Sequence, residues 1–268
     1  MSTRRALVWR YRNGGMRGIR GVADDTRVQA RGLLVVLVGA VTVAALVGAS
    51  PKASAGRACI AGAHAGGYSY AGHQEAHRGH GVRATISITR APSVHAGHVA
   101  GWVGVGGPGQ GANGTDEWIQ AGIAAMPGRS PFLYTEITRP NGETRFVLIE
   151  KRVELAQPYD VAVLEMAGRP GVWRVWVGGH AVTDPIVLRG SSGRWAPIVT
   201  AESWNASAAC NSFGFRFEDV AVSTGAGGSW RAFVPGHRFL DGAHTVRDLT
   251  AAEATQSDVR YAFLAASS

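Results

Sequence analysis

Between residues 84 and 223 the chain is a succession of short runs rich in β-branched and aromatic residues, each stopped by a turn signal. Nine such runs stand out: 84–90, 98–107, 117–126, 132–139, 144–152, 159–167, 172–182, 198–204 and 213–223. No amphipathic stretch with helical period separates them, so the helix-containing fold classes are excluded for this region. Pro140-Asn141-Gly142 and Gly178-Gly179 supply tight hairpin turns. Runs of this length joined by short turns predict an all-β fold, an antiparallel two-sheet β-sandwich. Two later runs, 229–234 and 259–265, are weaker strand candidates.

The formal net charge is +8, but it is unevenly placed. Residues 1–55 carry 9 Lys and Arg against 2 Asp and Glu, which leaves 18 basic and 17 acidic residues for the other 213. The body therefore has no excess that would attract a polyanion, and no nucleic-acid partner is expected. Residues 33–49 are apolar apart from Thr42. Arg27 and Arg31 precede them, and Ala53-Ser54-Ala55 follows. This order of charge, apolar run and small-residue site reads as a secretory signal over about 27–55, which makes the protein secreted. Anchorage in a membrane through 33–49 is the alternative, although the run is short of the roughly 20 residues a span needs. The chain then divides into a leader (1–55), an irregular Gly- and His-rich N-terminal arm (56–83) and one β-sandwich domain (84–268), expected to act as a monomer. Export also brings in the two cysteines. Cys59 and Cys210 are an even pair in an oxidising compartment and are read as a disulfide, with two free thiols as the alternative.

Polar residues on aromatic-flanked strands carry the chemistry. Residues two apart in a strand share a face, so Trp118 points with Gln120, and Thr200 points with Glu202 and Trp204. A glutamine and a glutamate placed so can meet in one groove. Four segments are involved, in this order: Trp102-Val103-Gly104-Val105-Gly106-Gly107, Gln120-Ala121-Gly122, Tyr134-Thr135-Glu136-Ile137 and Ala201-Glu202-Ser203-Trp204. Their order and separations resemble the glutamic peptidases of the eqolisin family, over about residues 84–223. The resemblance implies a concanavalin-A-like (jelly-roll type) sandwich that hydrolyses peptide bonds in acid without a cofactor or metal. It implies Gln120 and Glu202 as the catalytic pair. Trp102, Trp118, Tyr134, Glu136 and Trp204 would bind substrate or support the pair. The chain departs from the family at Gly106, where an acidic residue is usual, and at Tyr134, Thr135 and Ile137, where tryptophan and other aromatics are.

In this reading Glu202 takes a proton from water and returns it to the leaving amine, while the Gln120 amide holds the water and donates to the oxyanion. The partner is a peptide or protein substrate. Three other readings remain. A non-catalytic secreted sandwich would bind carbohydrate or peptide in the same groove, with the tryptophans stacking on sugars and polysaccharide as partner. Glu136 and Glu202 would be the carboxylate pair of a glycosidase. His73, His77 and His80 are metal-ligand residue types, but their Gly-rich setting lacks periodicity and reads as a solvated loop.

Overall fold

The computed structural model describes residues 8–11, 16–17, 67–204, 211–242, 244–254 and 261–267. The expected signal segment 27–55, the alternative span 33–49, Cys59 and Cys210 lie outside the described residues. No helix among the described residues is long and apolar enough to cross a membrane.

The strands are β1 (Val8–Tyr11), β2 (Met16–Arg17), β3 (Tyr68–Glu75), β4 (Gly81–Ser93), β5 (His98–Gly107), β6 (Glu117–Ala125), β7 (Phe132–Thr138), β8 (Thr144–Glu150) and β9 (Tyr159–Glu165). They continue with β10 (Val172–Val177), β11 (His180–Ala181), β12 (Ile186–Val187), β13 (Ile198–Trp204), β14 (Ser212–Ser223), β15 (Trp230–Ala232), β16 (Pro235–Leu240), β17 (His244–Asp248) and β18 (Phe263–Ser267). The first sheet runs β16-β3-β13-β5-β6-β7-β8-β1-β2. The second runs β11-β10-β9-β4-β14-β18-β17, with β12 added beside β10 and β15 beside β14. The strand pairings are antiparallel. The expected two-sheet antiparallel sandwich is therefore the observed fold.

The period of two explains which side chains fill it. On β5, Val99, Val103 and Val105 turn inward, as do Ile119, Ala121 and Ile123 on β6. They meet Ile86, Ile88, Val163, Phe215 and Phe217 from the second sheet in one core. Each Val, Ile or Phe among them contributes about 1.5–3 kcal/mol by leaving water. Core position 101 is a glycine because Phe215 fills the space. A Cβ on Gly101 would lie 2.7 Å from the Phe215 ring.

The sequence expectation needs correcting in two places. The arm 56–83 is not irregular throughout. Tyr68–Glu75 is an interior strand of the first sheet, and β4 begins at Gly81. Gly72 broke the apolar pattern there, yet it is what lets β3 lie against β13: its Cβ would be 2.4 Å from Thr200 Cα. The run 172–182 folds as β10, the hairpin turn expected at Gly178-Gly179 and the two-residue return strand β11. In the segment 1–55, set aside as a leader, the backbone of β1 pairs with β8, whose edge otherwise offers unpaired amides and carbonyls.

Gly101→Val tests the packing between the sheets. Phe215 is fully buried and cannot retreat, so the variant should lose about 1–3 kcal/mol in chemical denaturation. Combining it with Phe215→Leu should cost less than the two single changes summed, by at least about 0.5 kcal/mol.

Candidate functional site

The face of the first sheet turned away from the core carries the site. Register places its side chains across five strands. Glu202 on β13 stands opposite Tyr70 on β3 and Ala100 on β5. Trp102 pairs with Gly122, Gly104 with Gln120 and Gly106 with Trp118. Gln120 in turn pairs with Glu136 on β7, and Gly122 with Tyr134. A groove of about 580 Å³ opens on this face, and Trp102, Trp118, Gln120, Glu136 and Glu202 all line it. Tyr68, Tyr70 and Phe239 form its aromatic wall on the β3–β16 side. Its size falls within the usual range of ligand pockets.

Glycines let its strands approach closely. A Cβ on Gly122 would sit 2.1 Å from the Gly101 carbonyl oxygen and 2.6 Å from Trp102 Cα. A Cβ on Gly104 would sit 2.8 Å from Gln120 Cβ. Gly106, at the family's acidic position, has φ +86°, and a Cβ there would lie 2.2 Å from the Glu117 carbonyl oxygen. The chain cannot carry an acid at that place without moving β6, which is a physical reason for the departure seen in the sequence.

Glu202 is buried, and both of its oxygens are engaged. His98 Nε2 lies 2.8 Å from Oε1, and Trp102 Nε1 donates to Oε2 at 3.2 Å. Two rigid rings thus fix the carboxylate at the groove wall. Gln120 is also buried; its Nε2 donates to the Tyr134 hydroxyl at 3.2 Å, and its backbone carbonyl accepts from Thr135 Oγ1 at 2.8 Å. Tyr134 itself is buried on the same face of the sheet, stacked on Phe146. An amide has two N–H bonds, so one remains for a ligand. Trp118 Nε1 donates to Glu136 Oε1 at 3.0 Å. Burial, followed by the negative charge of Glu202, pushes the Glu136 carboxyl up to about 7. Burial and the two glutamates also push the Tyr70 and Tyr134 hydroxyls upward, so both remain donors.

Of the residues singled out from sequence, the structure brings Trp102, Trp118, Gln120, Glu136 and Glu202 into one groove, with Tyr134 on the same face bonded to Gln120. Trp204 is displaced from that set. It packs at the end of β13 against Tyr68, 6.1 Å between ring centroids, and His98, 5.8 Å. The three histidines do not converge. His73 lies 3.4 Å from Asp248, His77 faces Glu75 at 3.3 Å, and His80 faces Glu165 at 2.6 Å. Among the described residues no group of three or more His, Cys, Asp or Glu is arranged to hold a metal ion. Sequence reasoning missed His98, Tyr68 and Tyr70. The signal was there: His98 is four residues before Trp102 on the same strand face, and Tyr68-Ser69-Tyr70 alternates.

No family model matches the chain, and no curated protein does. Among solved structures, scytalido-glutamic peptidase bound to a peptide-based transition-state analogue aligns at a TM-score of 0.46 and 12% identity, over 74% of this chain and 97% of that one. SCP-B, a member of the eqolisin family of peptidases in complex with the tripeptide Ala-Ile-His, gives 0.44 and 12% over the same shares. The carbohydrate-binding module CBM66 from Bacillus subtilis gives 0.29 and 9%, over 51% of this chain and 74% of that one. None of them assigns a role to a residue of this chain.

The raised carboxyl of Glu136 has a consequence for stability. An unfolded chain loses that proton near 4.5, whereas the folded chain holds it to about 7. Between those values the folded state binds more protons, so this group's contribution to stability falls as pH rises through the window and is level above it. Glu136→Gln should therefore leave denaturation at pH 4 nearly unchanged and stabilise the chain at pH 8. Urea titrations at the two pH values measure the difference.

Proposed function

We propose that the chain is a hydrolase of the glutamic peptidase type, acting on peptide or protein. The observation that carries this reading is that Gln120 and Glu202, from strands on either side of β5, line one open groove with their carboxylate and amide fixed by ring partners. An extended peptide would lie along the groove, its side chains against Trp102, Trp118 and the tyrosines.

Hydrolysis needs a base for water, a donor for the oxyanion and an acid for the leaving group. In the proposal Glu202 removes a proton from water as the water oxygen attacks the scissile carbonyl carbon. The free N–H of Gln120 donates to the oxyanion that forms. Glu202 then passes the proton to the amine nitrogen as the C–N bond breaks, which leaves carboxylic acid and amine products and restores the carboxylate. His98 and Trp102 hold Glu202 in place through both oxygens and act as positioning residues. Glu136, protonated below about pH 7, adds no charge of its own to the groove there. Above that pH a second negative charge beside the oxyanion would raise the barrier.

The pH–rate profile of the purified chain on a denatured protein substrate tests this. Activity should be confined to the acid side and fall as pH passes through about 7. Glu202→Gln should reduce it to background with folding intact. Gln120→Ala should cost about 10²–10³ in rate, the usual effect of losing one oxyanion donor. Glu136→Gln should retain most activity and extend it to higher pH. A folded wild type that cleaves no peptide between about pH 2 and 7 would overturn the proposal and leave a groove that binds only. Cleavage of a polysaccharide that depends on both Glu136 and Glu202 would replace it with glycoside hydrolysis.

A further inference from the structure

The second sheet has a depression of its own on its outward face, about 490 Å³ in volume and remote in topology from the groove. Register explains it. Trp176 on β10 pairs with Ala162 on β9, and Ala162 pairs with Arg83 on β4. A methyl group thus lies between two large side chains in one row. Trp230, on the short strand β15, stands beyond Arg83, whose guanidinium carbon is 5.0 Å from the centre of its ring. Gly228, at φ +107°, gives the indole room, since a Cβ there would lie 3.0 Å from Trp230 Nε1. Both tryptophans line the depression and are half-buried.

Polar groups of both signs accompany the two indoles. Asp160 Oδ1 accepts from Thr85 Oγ1 at 2.6 Å. Asp219 Oδ2 accepts from Arg83 Nη2 at 2.7 Å. Asp219 reaches Arg83 because it sits in a bulge of β14, between Glu218 and Ala221, at φ +47°. A non-glycine residue in that region of backbone space is uncommon, and bulges commonly re-aim a side chain. Arg83 Nε is buried and finds no partner among the described residues. A buried donor without a partner is rare in folded proteins. The side-chain bonding capacity at this depression is therefore not used up internally.

We infer that this depression is a binding site for a neutral saccharide. A sugar ring presents an apolar C–H face and a rim of hydroxyls. Trp176 and Trp230 offer apolar ring surface for the face. Carboxylates accept from the hydroxyls and a guanidinium donates to them, in charge-assisted bonds that fix orientation. Charge decides against anions: Asp160 and Asp219 outnumber Arg83, so a phosphate or an acidic sugar meets net repulsion. The site lies on a different sheet from Gln120 and Glu202 and does not depend on what the groove does.

Calorimetric titration of the full chain with neutral gluco-, manno-, xylo- and galacto-oligosaccharides tests the inference, with oligogalacturonate as the acidic comparison. At least one neutral series should bind and oligogalacturonate should not. Trp176→Ala should weaken that binding about tenfold, the scale of one aromatic contact. Asp160→Ala removes an exposed side chain bonded only to Thr85, so it tests the site without threatening the fold, and it should weaken binding as well. Trp118→Ala, in the groove, should leave saccharide affinity unchanged. The inference is overturned if no neutral series binds the folded chain, or if oligogalacturonate binds best. It is equally overturned if affinity survives Trp176→Ala and Asp160→Ala, or is lost with Trp118→Ala, which would move the sugar to the groove.

Discussion

Methyl groups added at Gly72, Gly104 and Gly122 would each come within 3 Å of atoms on the neighbouring strand, two of them against backbone at 2.4 Å or less. These glycines lie on the outer face of the first sheet, among Trp102, Gln120, Thr200 and Glu202. Glycine at these three places lets the strands close up on one another. The register that this close approach permits sets Gln120, Glu136 and Glu202 along one groove, with large rings standing around them.

Burial and charge then work against each other in a way that suits acid chemistry. Two carboxylates in one partly desolvated groove cannot both ionise without cost. Glu202 receives the imidazole of His98 and the indole N–H of Trp102, whereas Glu136 receives one indole N–H, from Trp118. Of the two, Glu136 is the one whose carboxyl is pushed upward, by burial and by the charge of Glu202. Environments that push two titratable groups apart are a common way of dividing acid and base roles. Here the division comes from which strand each glutamate lies on and which ring its register brings alongside.

Much of this was legible in the sequence, and the exceptions have physical causes. β5 and β13 have the bounds expected from composition, and β6, β7 and β9 differ only at their ends, because most of their inward positions are aliphatic. The convergence of Gln120, Glu136 and Glu202 followed from strand parity together with a family resemblance. β3 was hidden because its groove face includes Gly72, and the glycine that spoils the apolar pattern is the one that admits the neighbouring strand. β16 and β17 were hidden because they are edge strands with mostly exposed side chains, β16 opening on Pro235-Gly236. Trp204 belongs by parity with Glu202 but sits past the groove's end, where length along the strand rather than face decides its neighbours. No pattern in the sequence announced the depression on the second sheet, because it depends on a bulge and on Ala162 falling between Trp176 and Arg83.

The shared field of the two glutamates can be measured without a substrate. Carboxyl carbon NMR of glutamate-labelled protein, assigned with Glu136→Gln, follows the titration of Glu136 in the wild type and in Glu202→Gln. A midpoint near 7 in the wild type that falls toward the ordinary value once the charge of Glu202 is removed is what this account predicts. A Glu136 that titrates near 4.5 in both proteins would contradict it, because the two carboxylates would then not share a desolvated groove.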